Sequence, residues 1–172
     1  MISDAGLRLR PLRTGDEAAV REAQKVMAEE DFSFAFGLDE TTEWNEFLRN
    51  VDKERRGVDL PDNRVPATFL VADVGGMIVG RISIRHALNG FLAREGGHIG
   101  YCVLAPYRRH GYATEMLRQA LVIIRSLGVD RALVICDDDN LGSATVIETC
   151  DGKLDSKVVA SGGVLVRRYW IQ

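Results

Sequence analysis

The stretch from His98 to Cys136 constrains the fold more than any other part of the chain. His98-Ile99-Gly100-Tyr101-Cys102-Val103-Leu104 is an apolar run of strand length, and an Arg-rich turn, Arg108-Arg109-His110-Gly111-Tyr112-Ala113, follows it. Ala113, Met116, Leu117, Ala120, Leu121, Ile124 and Leu127 then recur at helical spacing, and Gly128 stands where a helix end favours glycine. Ala132 to Cys136 is short and continuously apolar, the pattern of a strand covered on both faces. Strand, helix and strand in that order make a βαβ unit.

The flanking sequence reads as antiparallel hairpins and helices. Ala67 to Val74 and Met77 to Arg85 are rich in β-branched residues around Gly75-Gly76, and Lys153 to Val159 and Val164 to Ile171 flank Ser161-Gly162-Gly163. Leu7, Leu9 and Leu12 alternate with Arg8 and Arg10 as a short first strand. Thr14 or Asp16 is placed to cap a helix bearing Ala18, Ala19, Ala23, Val26 and Met27. Thr41-Thr42-Glu43 opens a second helix, which carries Trp44, Phe47, Leu48 and Val51 and ends at Arg56-Gly57. Asn140 or Ser143 begins a short helix through Thr149, broken by Gly152. The expected fold class is α/β (α+β), a mixed, mostly antiparallel twisted sheet of about seven strands with about four helices.

The 172 residues, 46% hydrophobic and 27% charged, suit one domain spanning 1–172. A net charge of −3 gives no general attraction to nucleic acid, so Arg108 and Arg109 act locally. Cys102, Cys136 and Cys150 lie in or beside apolar runs without CxxC spacing; they read as small buried hydrophobes in a reducing compartment, with no metal ligand set. No apolar stretch has signal-peptide or membrane-spanning length, so a cytoplasmic protein without a membrane partner is expected.

The turn at 108–113 is chemically specific. A helix start leaves its first N–H groups unpaired and carries about half a positive charge, so an anion there meets donors and dipole together. Gly111 permits close backbone approach, and an arginine fork suits phosphate. No Lys-Ser/Thr pair follows the glycine and no full GxGxxG is present, which weakens an ATP or dinucleotide reading.

Arg-x-x-Gly-x-Ala opening a helix after a strand, followed by Asn140-x-x-Ser143 with Ile147-Glu148 opening the next helix, resembles the GNAT superfamily of N-acetyltransferases. The order of elements is similar over nearly the whole chain, and Arg167-Arg168-Tyr169-Trp170 resembles the ending of a branch of predicted acetyltransferases within it. The resemblance implies the GNAT fold, splayed between the fourth and fifth strands, with acetyl-CoA as co-substrate and no metal. It also implies that the backbone of Arg108, Arg109, His110, Gly111, Tyr112, Ala113 and Thr114 grips the pyrophosphate of coenzyme A. The pantetheine arm would lie along Tyr101, Cys102, Val103 and Leu104, with Asn140 and Ser143 approaching from the fifth-strand side.

Acetyl transfer to an amine requires a neutral nucleophile. The resemblance places a base near His98, a residue that titrates close to neutrality. Many family members carry a tyrosine as general acid where this chain has Ile147, so Tyr169 is the candidate substitute, with Tyr101, or departure of the thiolate with water and backbone help, as the alternatives. The function implied is transfer of an acetyl group to a primary amine of a small molecule or peptide in a direct ternary complex. A noncatalytic acyl-CoA-binding sensor or interaction module is the second reading, supported by Ile147. The acceptor is expected to meet residues 31–64, read as a lid or substrate wall, and the loop at 86–96. There Asp39, Glu40, Glu43 and Glu46 would attract a cation, and Phe32, Phe34, Phe36 and Trp44 would pack its apolar part. An exposed final strand and an apolar lid are compatible with a homodimer.

Overall fold

The computed structural model describes residues 6–172. In chain order the elements are β1 (Leu7–Arg10), α1 (Glu17–Ala28), α2 (Trp44–Arg56), β2 (Ala67–Val74), β3 (Met77–Arg85), β4 (Ile99–Val103), α3 (Tyr112–Ser126), β5 (Ala132–Asp137), α4 (Leu141–Thr149), β6 (Lys153–Val159) and β7 (Leu165–Ile171). The strands form one sheet in the order β1-β2-β3-β4-β5-β7-β6. Among the described residues only β4 and β5 run parallel. Right at that pair α3 supplies the crossover, as the βαβ pattern requires.

Strand alternation sorts side chains to two faces. Leu70, Ala72, Val79, Ile82, Ile84, Ile99 and Val134 pack with Met116, Leu117, Ala120 and Ile124 of α3 and Ala144 and Ile147 of α4. Val71, Ile78 and partly buried Phe69, Cys102 and Leu104 pack on the other face with Val20, Ala23 and Met27 of α1, Trp44 and Phe47 of α2, and Phe34, Ala35 and Leu38 from the segment between them. The segment at 31–40 is therefore partly core, while Phe36 stays 73% exposed. Leu127, expected on the buried face of α3, is exposed because the helix ends at Ser126 and Gly128 turns the chain with φ 88°.

The hairpin glycines Gly75 and Gly76 take φ 61° and 89°, the positive values of a turn matched to strand twist. One capping expectation changes. The Asp16 side chain makes no cap bond to α1 and instead joins Arg10, with contacts of 2.7 and 3.0 Å, and the Arg13 N–H at 2.7 Å. Glu43 is the cap of α2, accepting the N–H groups of Asn45 and Glu46 at 2.9 and 2.8 Å. For α4 the cap is Asn140, whose Oδ1 accepts the Ser143 N–H at 3.1 Å.

Candidate active site

The parallel strands meet at a single register position, Ile99 opposite Val134, and then diverge. On its other edge β4 stays paired with β3 throughout. Those bonds alternate: Arg85 donates to the His98 carbonyl at 2.7 Å and the Leu104 N–H donates to Val79 at 2.9 Å. The intervening backbone groups of Tyr101 and Val103 consequently turn away from β3, toward the gap. A cavity of about 910 Å³ opens there, lined by Tyr101, Cys102 and Val103, the first turns of α3 and α4, and Met27, Glu30 and Phe32 from the opposite face. The splay thus joins the two sides of the sheet.

At one end of this cavity lies the start of α3. No side chain caps the helix, and the N–H groups of 111–114 find no acceptor among the described residues. Arg109 and Gly111 both take left-handed φ, 66° and 79°, a backbone form that turns successive N–H groups into a concave anion cradle. Gly111, Tyr112, Ala113 and Thr114 line the cavity, together with Arg108 and Arg109. The arginines differ in role. Arg108 donates from Nε to the Val103 carbonyl at 2.9 Å and from Nη2 to Glu30 at 2.7 Å, tying the turn to the end of β4 and the segment after α1. Arg109 has no side-chain partner among the described residues.

Two residues expected in contact with cofactor stand back. His110 is absent from the lining; its Nδ1 lies 2.8 Å from the Arg108 carbonyl and 3.0 Å from that of Tyr107, and its ring stacks on Tyr112 at 5.7 Å. Leu104 is also outside the lining and packs with the α1 and α2 core. Asn140 and Ser143 are both in it, with Asp139, Leu141 and Gly142. The Ser143 Oγ is 2.8 Å from the Tyr101 hydroxyl, so a phenol from β4 reaches the first turn of α4. Burial pushes the Tyr101 phenol far above its ordinary value, which keeps it protonated.

The two residues expected to move protons occupy different ground. His98 is 5% exposed and lines neither large cavity. Its Nδ1 accepts the Leu133 N–H at 2.9 Å, and its own backbone N–H donates to the Leu133 carbonyl at 2.7 Å. His98 therefore fastens β4 to β5 at the last point before they separate. Burial lowers its pKa, with the Arg85 charge adding to the effect, so the ring is neutral. Tyr169 is 0% exposed, packed in the α3 and α4 core, and its hydroxyl donates to Glu148 at 2.9 Å. Neither side chain lines the large cavity, whereas Tyr101 does. Ile147 is likewise wholly buried.

A second cavity, about 370 Å³, lies on the α1 and α2 face and shares Phe32 with the first. Its lining draws Ser33, Phe34, Phe36, Phe47, Val51, Glu54, Asn63 and Arg64 from the 31–64 region and Asn89, Phe91 and Leu92 from the 86–96 loop. Those segments converge as the sequence suggested. Its floor is Ala67 and Phe69 of β2 with Arg81, Ser83 and Arg85 of β3, residues that the sequence placed in a hairpin without assigning them to a site. Asp39, Glu40, Glu43 and Glu46 are not in the lining; Asp39 and Glu43 spend their carboxylates on local N–H groups.

Residues 6–153 match the family model of the acetyltransferase (GNAT) domain. The chain belongs to the GNAT acetyltransferases. No curated protein sequence matches it. Among solved structures, this GNAT chain is similar to RimJ from Mycobacterium smegmatis in complex with CoA-disulfide, with TM-score 0.73 and 20% identity over 96% of this chain and 81% of that one. It is similar to yncA from Salmonella typhimurium, solved with its cofactor acetyl-CoA, with TM-score 0.63 and 14% identity over 96% and 93% of the two chains. A spermidine N-acetyltransferase SpeG chimera from Vibrio cholerae and hSSAT aligns with TM-score 0.64 and 17% identity over 96% and 94%. These likenesses establish the fold of the GNAT chain, an acyltransferase by family. Among its described residues no helix is long and apolar enough to cross a membrane.

Proposed function

We propose that the protein transfers the acetyl group of acetyl-CoA to a primary amine in a direct ternary complex. The observation that carries this reading is the continuity of the large cavity from the uncapped α3 turn, through the β4–β5 gap, to Phe32 on the opposite face. A pyrophosphate suits the free N–H groups of 111–114 with Arg109 beside them. A pantetheine arm, with its amide groups, suits the backbone of Tyr101 and the N–H of Val103, which face the gap, while the Val103 carbonyl is held by Arg108. The structure of yncA with its cofactor acetyl-CoA supports the choice of acetyl donor.

The chemistry needs a neutral amine at the thioester carbonyl. Its nitrogen forms the new C–N bond, the C–S bond breaks, the nitrogen gives up a proton to water in the open cavity, and the thiolate leaves. Tyr101 serves the leaving thiolate by donating a hydrogen bond. A thiol has a pKa of about 8.5, well below that of the buried phenol, so the hydrogen bond stabilises the thiolate without full proton transfer. Ser143 holds the phenol in place.

The test uses Ala113→Asp. A carboxylate in the first turn favours the helix dipole and leaves folding intact, but it repels a phosphate at the same spot. The variant is expected to bind acetyl-CoA at least about tenfold more weakly by calorimetry with an unchanged melting temperature. Equal affinity in variant and parent would place the cofactor elsewhere.

A further inference from the structure

The second cavity holds more positive charge than its protein partners neutralise. Three guanidiniums line it, Arg64, Arg81 and Arg85, against one carboxylate, Glu54, which pairs with Arg64. Arg81 is held by carbonyls: Nε donates to Phe34 at 3.0 Å, Nη2 to Ser33 at 2.8 Å and Nη1 to Gly100 at 3.4 Å. Arg85 donates from Nη1 to the Gly96 carbonyl at 3.1 Å, while its Nε and Nη2 have no partner among the described residues. Those two N–H groups form one edge of the guanidinium, the edge that matches both oxygens of a carboxylate. Gly100 seats this head group, since a Cβ there would stand 3.2 and 3.5 Å from Nη1 and Nη2.

Burying a cation without a counter-charge is costly, and an arriving anion offsets that cost. Burial, with Arg81 and Arg64 nearby, draws Arg85 down to about 10, still fully charged at neutral pH. The walls around it are phenylalanines, Phe32, Phe36, Phe69 and Phe91 among them. We infer that this cavity takes an acceptor amine that also bears a carboxylate and an apolar side chain, the chemistry of an apolar α-amino acid, with the carboxylate on the free edge of Arg85. The inference rests on the acetyl-transfer reading only for the word acceptor; the anion site stands on its own geometry.

Four amines separate the possibilities in the wild-type chain with acetyl-CoA: L-phenylalanine, L-leucine, L-phenylalaninamide and 2-phenylethylamine. The two carboxylates are expected to show kcat/KM at least about tenfold above the two amines without one. Arg85→Gln should raise KM for phenylalanine about tenfold and leave 2-phenylethylamine unaffected, with Arg85→Lys in between because it keeps the charge and loses the fork. Calorimetric binding of phenylalanine to both proteins is measured alongside. Arg85-dependent binding without turnover on any amine supports this site and defeats acetyl transfer. Equal or better turnover of the uncharged analogues, or equal loss on all four amines in Arg85→Gln, overturns the inference and leaves acetyl transfer standing. Neither binding nor turnover of the carboxylates also overturns it. Should the variants fail to fold, the wild-type comparison of phenylalanine with its amide decides alone.

Discussion

At the residue scale the proposed donor is Tyr101. Tyr101 and Tyr169 both sit on strands in the sequence, and nothing there says which one faces open space; Tyr101 lines the large cavity and Tyr169 is wholly buried. Tyr101→Phe is expected to lower kcat by about a hundredfold while acetyl-CoA affinity, measured by calorimetry, stays within about threefold. His98 is the reverse case, a residue whose type promised proton chemistry and whose place makes it a strand fastener. His98→Ala leaves the Leu133 N–H unpaired and should cost about 2 kcal/mol in denaturant unfolding. The acid limb of kcat/KM should keep its midpoint in that variant and should follow the amine pKa of whichever acceptor is used, about 8 for the α-amino group of a peptide and higher for a free amino acid.

At the element scale the legible parts were those set by local chemistry. The hairpin at Gly75-Gly76 and the α3 stripe from Met116 to Ile124 follow from positive φ and helical period, so they appear where the sequence put them. What local pattern cannot carry is which wet face stays wet. Arg81, Ser83 and Arg85 alternate with Ile82 and Ile84 like any half-exposed strand, and only the return of residues 31–64 over β2 and β3 turns their side into a cavity floor. Asp16 is a similar case, diverted from capping α1 to a buried pair with Arg10. The Arg10 guanidinium holds the Asp16 carboxyl below its ordinary range. A depressed carboxyl contributes stability that is complete above the unfolded value of about 4 and is lost as pH falls through the folded one. Asp16→Asn should therefore cost about 3 kcal/mol at pH 7 by denaturant unfolding, and the curves for variant and parent should converge toward pH 2.

At the scale of the whole molecule, one sheet separates two chambers and opens between them where β4 leaves β5. The βαβ unit and the uncapped start of α3 were readable because each is set by contiguous residues. On the α1 and α2 face the stretches holding Phe32, Arg64 and Phe91 were singled out in the sequence, while Arg81 and Arg85 were not, because only packing makes their side of β3 a cavity floor. The direct measurement is thiol release from acetyl-CoA by the wild-type chain with and without an amine, paired with mass spectrometry of the amine. Amine-dependent release, matched mole for mole by N-acetylated product, is the predicted result. Saturable acetyl-CoA binding with no amine-dependent thiol release across amino acids, peptides and simple amines would contradict it and make the protein an acyl-CoA sensor.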